Sequence, residues 1–181
     1  TYNVAVGHAA GGSVTTGTNN TLIGGLAGDA ITTASNNTAV GYASLGANTT
    51  GADNVAIGQS ALLSNTTASN NTAVGRNALE SNTTGAGNTA LGRSALNVNS
   101  ASNNTAVGLS ALQQNSTGTG NVAIGTRAAT SNTTADNNTA VGLDAFGTNT
   151  TGHSNVAIGK VALYGNTTGD LNTAAGYAAL S

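Results

Sequence analysis

The sequence predicts an all-β fold, a parallel β-roll (β-solenoid) of about eleven coils of 17 residues each. The main observation is a recurring segment Asn-(Thr/Val)-Ala-(apolar)-Gly, repeated in steps of 17 residues with one step of 16. Its anchor asparagines are Asn3, Asn20, Asn37, Asn54, Asn71, Asn88, Asn104, Asn121, Asn138, Asn155 and Asn172. The second observation is that Gly and β-branched residues recur every few positions, which disfavours helices. A period of this length is typical of stacked coils that pack on their neighbours.

The repeats fill residues 1–181, so we expect a single repeat array without a linker or a second domain. The chain stops partway through the eleventh repeat, and we therefore expect it to be a fragment of a longer fibre. Within the coil 71–87, we predict two short extended pieces, Thr72 to Val74 and Ala78 to Leu79, each followed by a polar turn. Alternation places Thr72 and Val74 on one face and Ala73 on the other.

Two apolar columns are predicted to form the core. One is the residue before each anchor Gly: Val6, Ile23, Val40, Ile57, Val74, Leu91, Val107, Ile124, Val141, Ile158 and Ala175. The other lies four residues after that Gly: Leu45, Leu62, Leu79, Leu96, Leu112, Ala129, Phe146, Leu163 and Leu180. Two further columns contain small residues, represented by Ala73 and Ala78 in one coil, and persistent small size indicates that another backbone lies close. We interpret one or both small columns as an interface between chains.

Asparagine is predicted to form hydrogen-bonded ladders along the array, because stacked copies lie about 4.7–4.9 Å apart and an amide both donates and accepts. We assign the anchor ladder to Asn37, Asn54, Asn71, Asn88, Asn104, Asn121, Asn138 and Asn155. The second ladder is assigned to Asn48, Asn65, Asn82, Asn115, Asn132, Asn149 and Asn166, with Asn99 in the same column. The seven assigned residues of the second ladder also lie in Asn-x-Ser/Thr sequons, so N-glycosylation is the alternative interpretation.

Three details of the repeat carry further predictions. The invariant Gly, from Gly7 to Gly176, is expected to occupy a corner that requires positive φ or a close backbone approach. The residue after the paired threonines alternates between Gly and Ala, as in Gly51 and Ala68, which indicates a 34-residue unit of two coils. The 16-residue step is interpreted as a turn deletion after Asn99, because both apolar columns continue past it in phase.

Composition narrows the function classes. The chain has four Lys and Arg residues, too few for the basic stripe that nucleic-acid binding requires. No run approaches the roughly 20 apolar residues that span a bilayer, so we expect no membrane insertion in this segment. The acids and the two histidines lie in variable columns, and His8 and His153 are about nine coils apart. We therefore predict no enzyme, no catalytic or metal site and no cofactor.

The most varied column follows the Gly and is the candidate contact surface, while solvent-facing drift is the alternative explanation. Its members are Tyr42, Gln59, Arg76, Arg93, Leu109, Thr126, Leu143, Lys160 and Tyr177. Threonine columns also raise the question of ice binding. However, the paired threonines, such as Thr83 and Thr84, are adjacent and would point to opposite faces of a strand.

The segments Asn54–Gly58, Asn121–Gly125 and Asn155–Gly159, each Asn-Val-Ala-Ile-Gly, resemble the repeat of YadA-like trimeric autotransporter heads. The longer pattern in 71–85 is similar to arrays in bacterial surface proteins and phage tail fibres. The resemblance covers essentially the whole chain, although 17-residue coils are longer than usual for those heads. It implies a left-handed parallel β-roll, three chains around one axis, and adhesive or fibre-forming work outside the cell.

We therefore expect a structural, non-enzymatic shaft or head of an extracellular fibre or adhesin, located on a cell surface or virion. The expected partner is the chain itself, as a homotrimer or a filament. A surface module that binds a glycan or a host receptor through the varied column is the second hypothesis, and an ice-binding solenoid is the third.

Overall fold

The computed structural model describes residues 2–181 and confirms the predicted all-β solenoid. Each coil contributes one three-residue strand. The strands are β1 Val4–Val6, β2 Thr21–Ile23, β3 Thr38–Val40, β4 Val55–Ile57, β5 Thr72–Val74, β6 Thr89–Leu91, β7 Thr105–Val107, β8 Val122–Ile124, β9 Thr139–Val141, β10 Val156–Ile158 and β11 Thr173–Ala175. They form one sheet in chain order. All its pairs are parallel, and a residue faces its equivalent in the next coil, as Ala56 faces Ala73.

The second extended piece predicted in each coil is wrong. Ala78 and Leu79 lie in a turn, where the φ of Leu79 is +51°, the left-handed region. The same holds for Leu45 and Leu62. Left-handed backbone costs a non-glycine residue roughly 1–2 kcal/mol. Because these leucines are fully buried, burial of the side chain, worth about 1.5–3 kcal/mol, offsets that cost.

The first predicted core column is also wrong, whereas the leucine column is confirmed from Leu45 to Leu163; Leu180, in the last coil, is 66% exposed. Ile57 and Leu91 are 39% and 48% exposed, while Ala73 at the centre of its strand is fully buried. The alternation within each strand was predicted correctly, but the assignment of its two faces was inverted. From β3 to β11 the strand centre is Ala, whereas in β2 it is the buried Leu22, which has room because Gly28 stands where later coils have the buried leucine. The strand centre and the leucine column thus share one interior volume, and the larger first and third residues face outward.

The interface interpretation of the small columns fails for the same reason. Ala73 and Ala78 are completely buried within a single chain, and their equivalents in the central coils are buried too. The close backbone inferred from their small size is the opposite side of the same coil. One continuous core therefore runs along the array, built from strand-centre alanines, turn alanines and the leucine column.

The invariant glycines occupy the predicted corner. Gly75 has φ of +131°, and a Cβ there would lie 2.6 Å from the backbone of Gly92 in the next coil. The positive φ and the lack of space for a Cβ each exclude a residue other than Gly at this corner. The alternating glycines have a separate cause, since a Cβ on Gly51 would lie 2.2 Å from the carbonyl oxygen of Ala68.

The 16-residue coil is shortened where it was predicted to be. The amide of Asn99 reaches a carbonyl two residues ahead, that of Ala101, whereas Asn82 reaches one three residues ahead. The turns of successive coils are joined by a ladder of backbone hydrogen bonds, in which the N–H of Thr66 donates to the carbonyl of Thr83 and the N–H of Ser100 to that of Ser116. Within residues 2–181 this turn ladder has one gap, at the N–H of Thr83, directly below the deletion.

Candidate functional site

The anchor asparagines bind three successive coils together. The Oδ1 of Asn37 accepts hydrogen bonds from the backbone N–H and the Nδ2 of Asn54, at 3.0 and 3.2 Å. The Nδ2 of Asn37 in turn donates to the Gly51 carbonyl at 3.0 Å. Asn54 is completely buried, as are its equivalents through the central coils. The ladder satisfies backbone groups that would otherwise be buried without partners.

The second asparagine column also forms a ladder inside the coil. Asn65 donates to the Oδ1 of Asn48 at 2.9 Å and to the carbonyl of Ala68 at 3.0 Å. Asn99 belongs to this ladder, since it donates to Asn82 and accepts from Asn115. From Asn48 to Asn149 these side chains are buried, and Asn166 is partly exposed. A buried amide whose two N–H groups are both engaged, like that of Asn65, is not accessible to a glycosyltransferase in the folded chain.

Val14 and Ile31 occupy this second column in the first two coils. Ile31 is fully buried, so the interior position accepts an apolar side chain as well as an amide. The requirement there is burial without an unpaired polar atom, and the described residues contain no buried side-chain polar atom that lacks a partner. Both asparagine columns are therefore structural parts of the core.

The charged residues are dispersed over the surface. Arg127 and Asp144, which lie one coil apart, form an ion pair with two contacts of 2.6 Å. The hydrogen bond to Asp144 and its negative charge raise the pKa of Arg127. Glu80 accepts hydrogen bonds from the side-chain amides of Asn77 and Asn97. In the part of the chain that the structure describes, no cluster of three acidic or histidine side chains could hold a metal ion.

His153 shows why polar residues collect just before the anchor asparagine. The imidazole Nδ1 of His153 accepts a hydrogen bond from the backbone N–H of Asp136 at 2.9 Å. The backbone N–H of His153 donates to the Oδ1 of Asp170 at 2.6 Å. Ser35 and Ser69 cap the preceding coil in the same way. This column therefore caps the turn, and no single residue type marks it in the sequence because Ser, Asp and His all serve as acceptors.

The varied column lies on the surface. Tyr42, Leu109 and Tyr177 are among its exposed members, Thr126 is partly exposed, and the Nζ of Lys160 lies 5.8 Å from the ring centroid of Tyr177. These side chains follow the strand end across the invariant Gly. The varied column borders a second, more regular surface, which includes the Val/Ile column that was predicted to lie in the core.

That surface, here named the outer face, consists of the first and third residues of β2 to β10. Its members are Thr21, Ile23, Thr38, Val40, Val55, Ile57, Thr72, Val74, Thr89, Leu91, Thr105, Val107, Val122, Ile124, Thr139, Val141, Val156 and Ile158. All are exposed or partly exposed, and none is charged. At about 4.8 Å per coil and about 3.3 Å per residue, the outer face measures roughly 43 by 10 Å.

The largest contiguous apolar patch on a typical monomer is about 300–600 Å² and is often functional. The outer face has a flat footprint of roughly 400 Å², and the bordering varied column brings it to roughly 600 Å². A standard interface buries about 800 Å² per partner. The outer face is therefore the candidate functional site of the described residues.

The same described part of the chain contains no helix that is long and apolar enough to cross a membrane. No protein-family model, no curated protein and no solved structure matches this chain.

Proposed function

We propose that the chain is a structural, non-enzymatic rod, the shaft or head of an extracellular fibre or adhesin, and that copies assemble through the outer face. The observation that carries this proposal is the continuous uncharged face along the sheet, exposed on a chain whose interior is already closed. A rod of about ten coils at about 4.8 Å each spans roughly 48 Å.

Three chains around one axis are the arrangement we propose, as the resemblance to trimeric autotransporter heads implies. Each chain has a single flat face along its length, and a closed cyclic assembly buries that face on all copies at once. The interface moves from the alanine columns, where the sequence placed it, to the Val/Ile column. The reason is that the alanines are buried inside the coil.

Charge on the outer face tests the proposal. The double variant Ile57→Glu/Ile124→Glu would bury two carboxylates per chain at the interface, where unpaired charge is strongly unfavourable. We expect folded monomers of 17.3 kDa by sedimentation, with an unchanged circular dichroism spectrum. The matched control is Thr50→Glu/Thr117→Glu in the exposed turns, which we expect to assemble normally. Equal assembly of both variants would refute the interface.

Ice binding is the second candidate function. The adjacent turn threonines argue against it, but the outward residues of the strands favour it. The adjacent turn threonines do not form two outward ranks, but the strands do: Thr38 and Val40 face outward with one residue between them, and the same two positions, occupied by Thr or Val and by Val, Ile or Leu, face outward in every strand from β2 to β10. A free outer face would present a flat, regular array to water. Thermal hysteresis that disappears in Ile57→Glu/Ile124→Glu, together with a monomeric mass, would favour this function over self-assembly.

A further inference from the structure

Stacked coils with nearly identical sequences pose a register problem for self-assembly. Two arrays that slide past each other by one coil keep most of their contacts, and a staggered contact between copies generates an open helical fibre rather than a closed ring. A closed assembly therefore needs a feature that differs from coil to coil along the outer face.

The first residue of each strand supplies such a feature. Between β2 and β10 it is Val in β4, β8 and β10 and Thr in the other six strands, so the Thr/Val alternation is interrupted at β2–β3 and again at β6 with Thr89. The third residue alternates as well, with Val40 and Val74 partly exposed and Ile57 more exposed between them. Polar layers and bulkier apolar layers thus follow each other along the face.

The outward hydroxyls have no partner within their own chain. Among the described residues, turn threonines such as Thr49 donate to the next coil, whereas the hydroxyls of Thr38, Thr72 and Thr105 make no hydrogen bond. A hydroxyl that is buried without a partner loses its hydration with no compensation. Threonines that meet across an interface can bond to each other, as in cross-strand Thr pairs.

We propose that this Thr/Val pattern is a register code: copies of the chain meet like coil on like coil, so that the assembly closes. This inference rests on the proposed self-assembly through the outer face. A slip of one coil would set Thr38 against Val55 and Val55 against Thr72. A slip of two coils would still set Val55 against Thr89, because of the break at β6. In register, each hydroxyl layer faces hydroxyls and each valine faces valine.

Cysteine cross-linking tests the register, and the absence of native cysteine makes the products unambiguous. Val74→Cys and Ile57→Cys chains, which differ by one coil, are denatured, mixed, reassembled and oxidised to disulfides with copper phenanthroline, because a disulfide tolerates a Cα–Cα distance of only about 4.4–6.8 Å and so distinguishes positions one coil apart. We expect products linking like positions to exceed the mixed 57–74 product by a factor of about ten or more, as a difference above 1.4 kcal/mol gives. Predominance of the mixed product would overturn the code.

The second arm erases the pattern. With Thr21, Thr38, Thr72, Thr89, Thr105 and Thr139 all replaced by Val, we expect the share of the mixed product to rise at least severalfold while the particle mass remains multimeric or grows. An unchanged share would also overturn the code, because another feature would then set the register. A monomeric mass of the unsubstituted chain would refute the proposed function itself, whereas a multimer with staggered cross-links would refute this inference alone.

Discussion

Ala73 and Val74 are adjacent in the chain but lie on opposite faces of the strand, and substituting each with the other residue type tests which face is buried. Ala73 is completely buried, while Val74 lies on the outer face and is partly exposed. Ala73→Val adds two carbon atoms to a closed interior, and Val74→Ala removes two from the surface. Both variants are made on the Ile57→Glu/Ile124→Glu background, so that assembly does not contribute to the measured stability.

The expected magnitudes differ clearly. Inserting extra carbon atoms into a close-packed interior costs typically about 1–3 kcal/mol, and the coil has little freedom to expand because the coils on both sides restrain it. Removing two carbons at about 0.8 kcal/mol per fully buried CH₂ would cost at most about 1.6 kcal/mol. Since Val74 remains partly exposed in the unassembled chain, we expect less than about 1 kcal/mol for Val74→Ala.

Urea unfolding followed by circular dichroism measures both variants. Midpoints are compared rather than extrapolated free energies, because a repeat array need not unfold in one cooperative step. We expect Ala73→Val to lower the midpoint clearly more than Val74→Ala. The reverse order, with Val74→Ala as the more damaging change, would refute the assignment of the two faces.

Three further substitutions probe the corner, the ladder and the deletion. Gly24→Ala should prevent folding, since its Cβ would lie 2.6 Å from a carbonyl oxygen of the next coil. The control Gly25→Ala should fold, because the nearest contact of its Cβ is at 3.5 Å. Equal solubility and equal melting temperatures of the two variants would contradict the close approach of the backbones at this corner. Asn71→Ala leaves the buried backbone N–H of Asn88 unpaired, whereas the Gly85 carbonyl keeps its hydrogen bond from Asn82, so we expect a destabilisation of about 1–3 kcal/mol in thermal unfolding; a loss below about 0.5 kcal/mol would contradict the ladder. Insertion of Thr after Asn99 should restore the partner of the Thr83 N–H and slow its hydrogen exchange, with a gain of about 0.5–1.5 kcal/mol; unchanged exchange at Thr83 would contradict the gap.

The sequence predicted what its period and its invariant residues determine. Seventeen-residue spacing specified the stacking of parallel strands, and the invariant Gly specified a corner that the φ of Gly75 confirms. The deletion after Asn99 could be located because the apolar columns stay in phase on both sides. These features depend on local geometry and on equivalence between coils, both of which are visible in one chain.

The orientation of the strand was not determined by the same data. Alternation separates Ala73 from Val74 without saying which faces inward, and the usual preference of larger apolar residues for the core favoured Val74. Packing inside the coil decides the matter, because the leucine column shares the core with the strand-centre alanines. The left-handed turn at residues such as Leu79, from which that column enters the core, is not predicted by any residue preference. The candidate site was missed for this reason, since the outer face consists of residues assigned to the core.

The mass of the native assembly in solution tests the central claim most directly, because the claim is that the outer face is covered by copies of the same chain. Sedimentation equilibrium at micromolar concentration measures it without a label or a substitution. The account predicts a particle of three times the 17.3 kDa chain mass. A stable monomer of 17.3 kDa that exposes its whole outer face to water would contradict it.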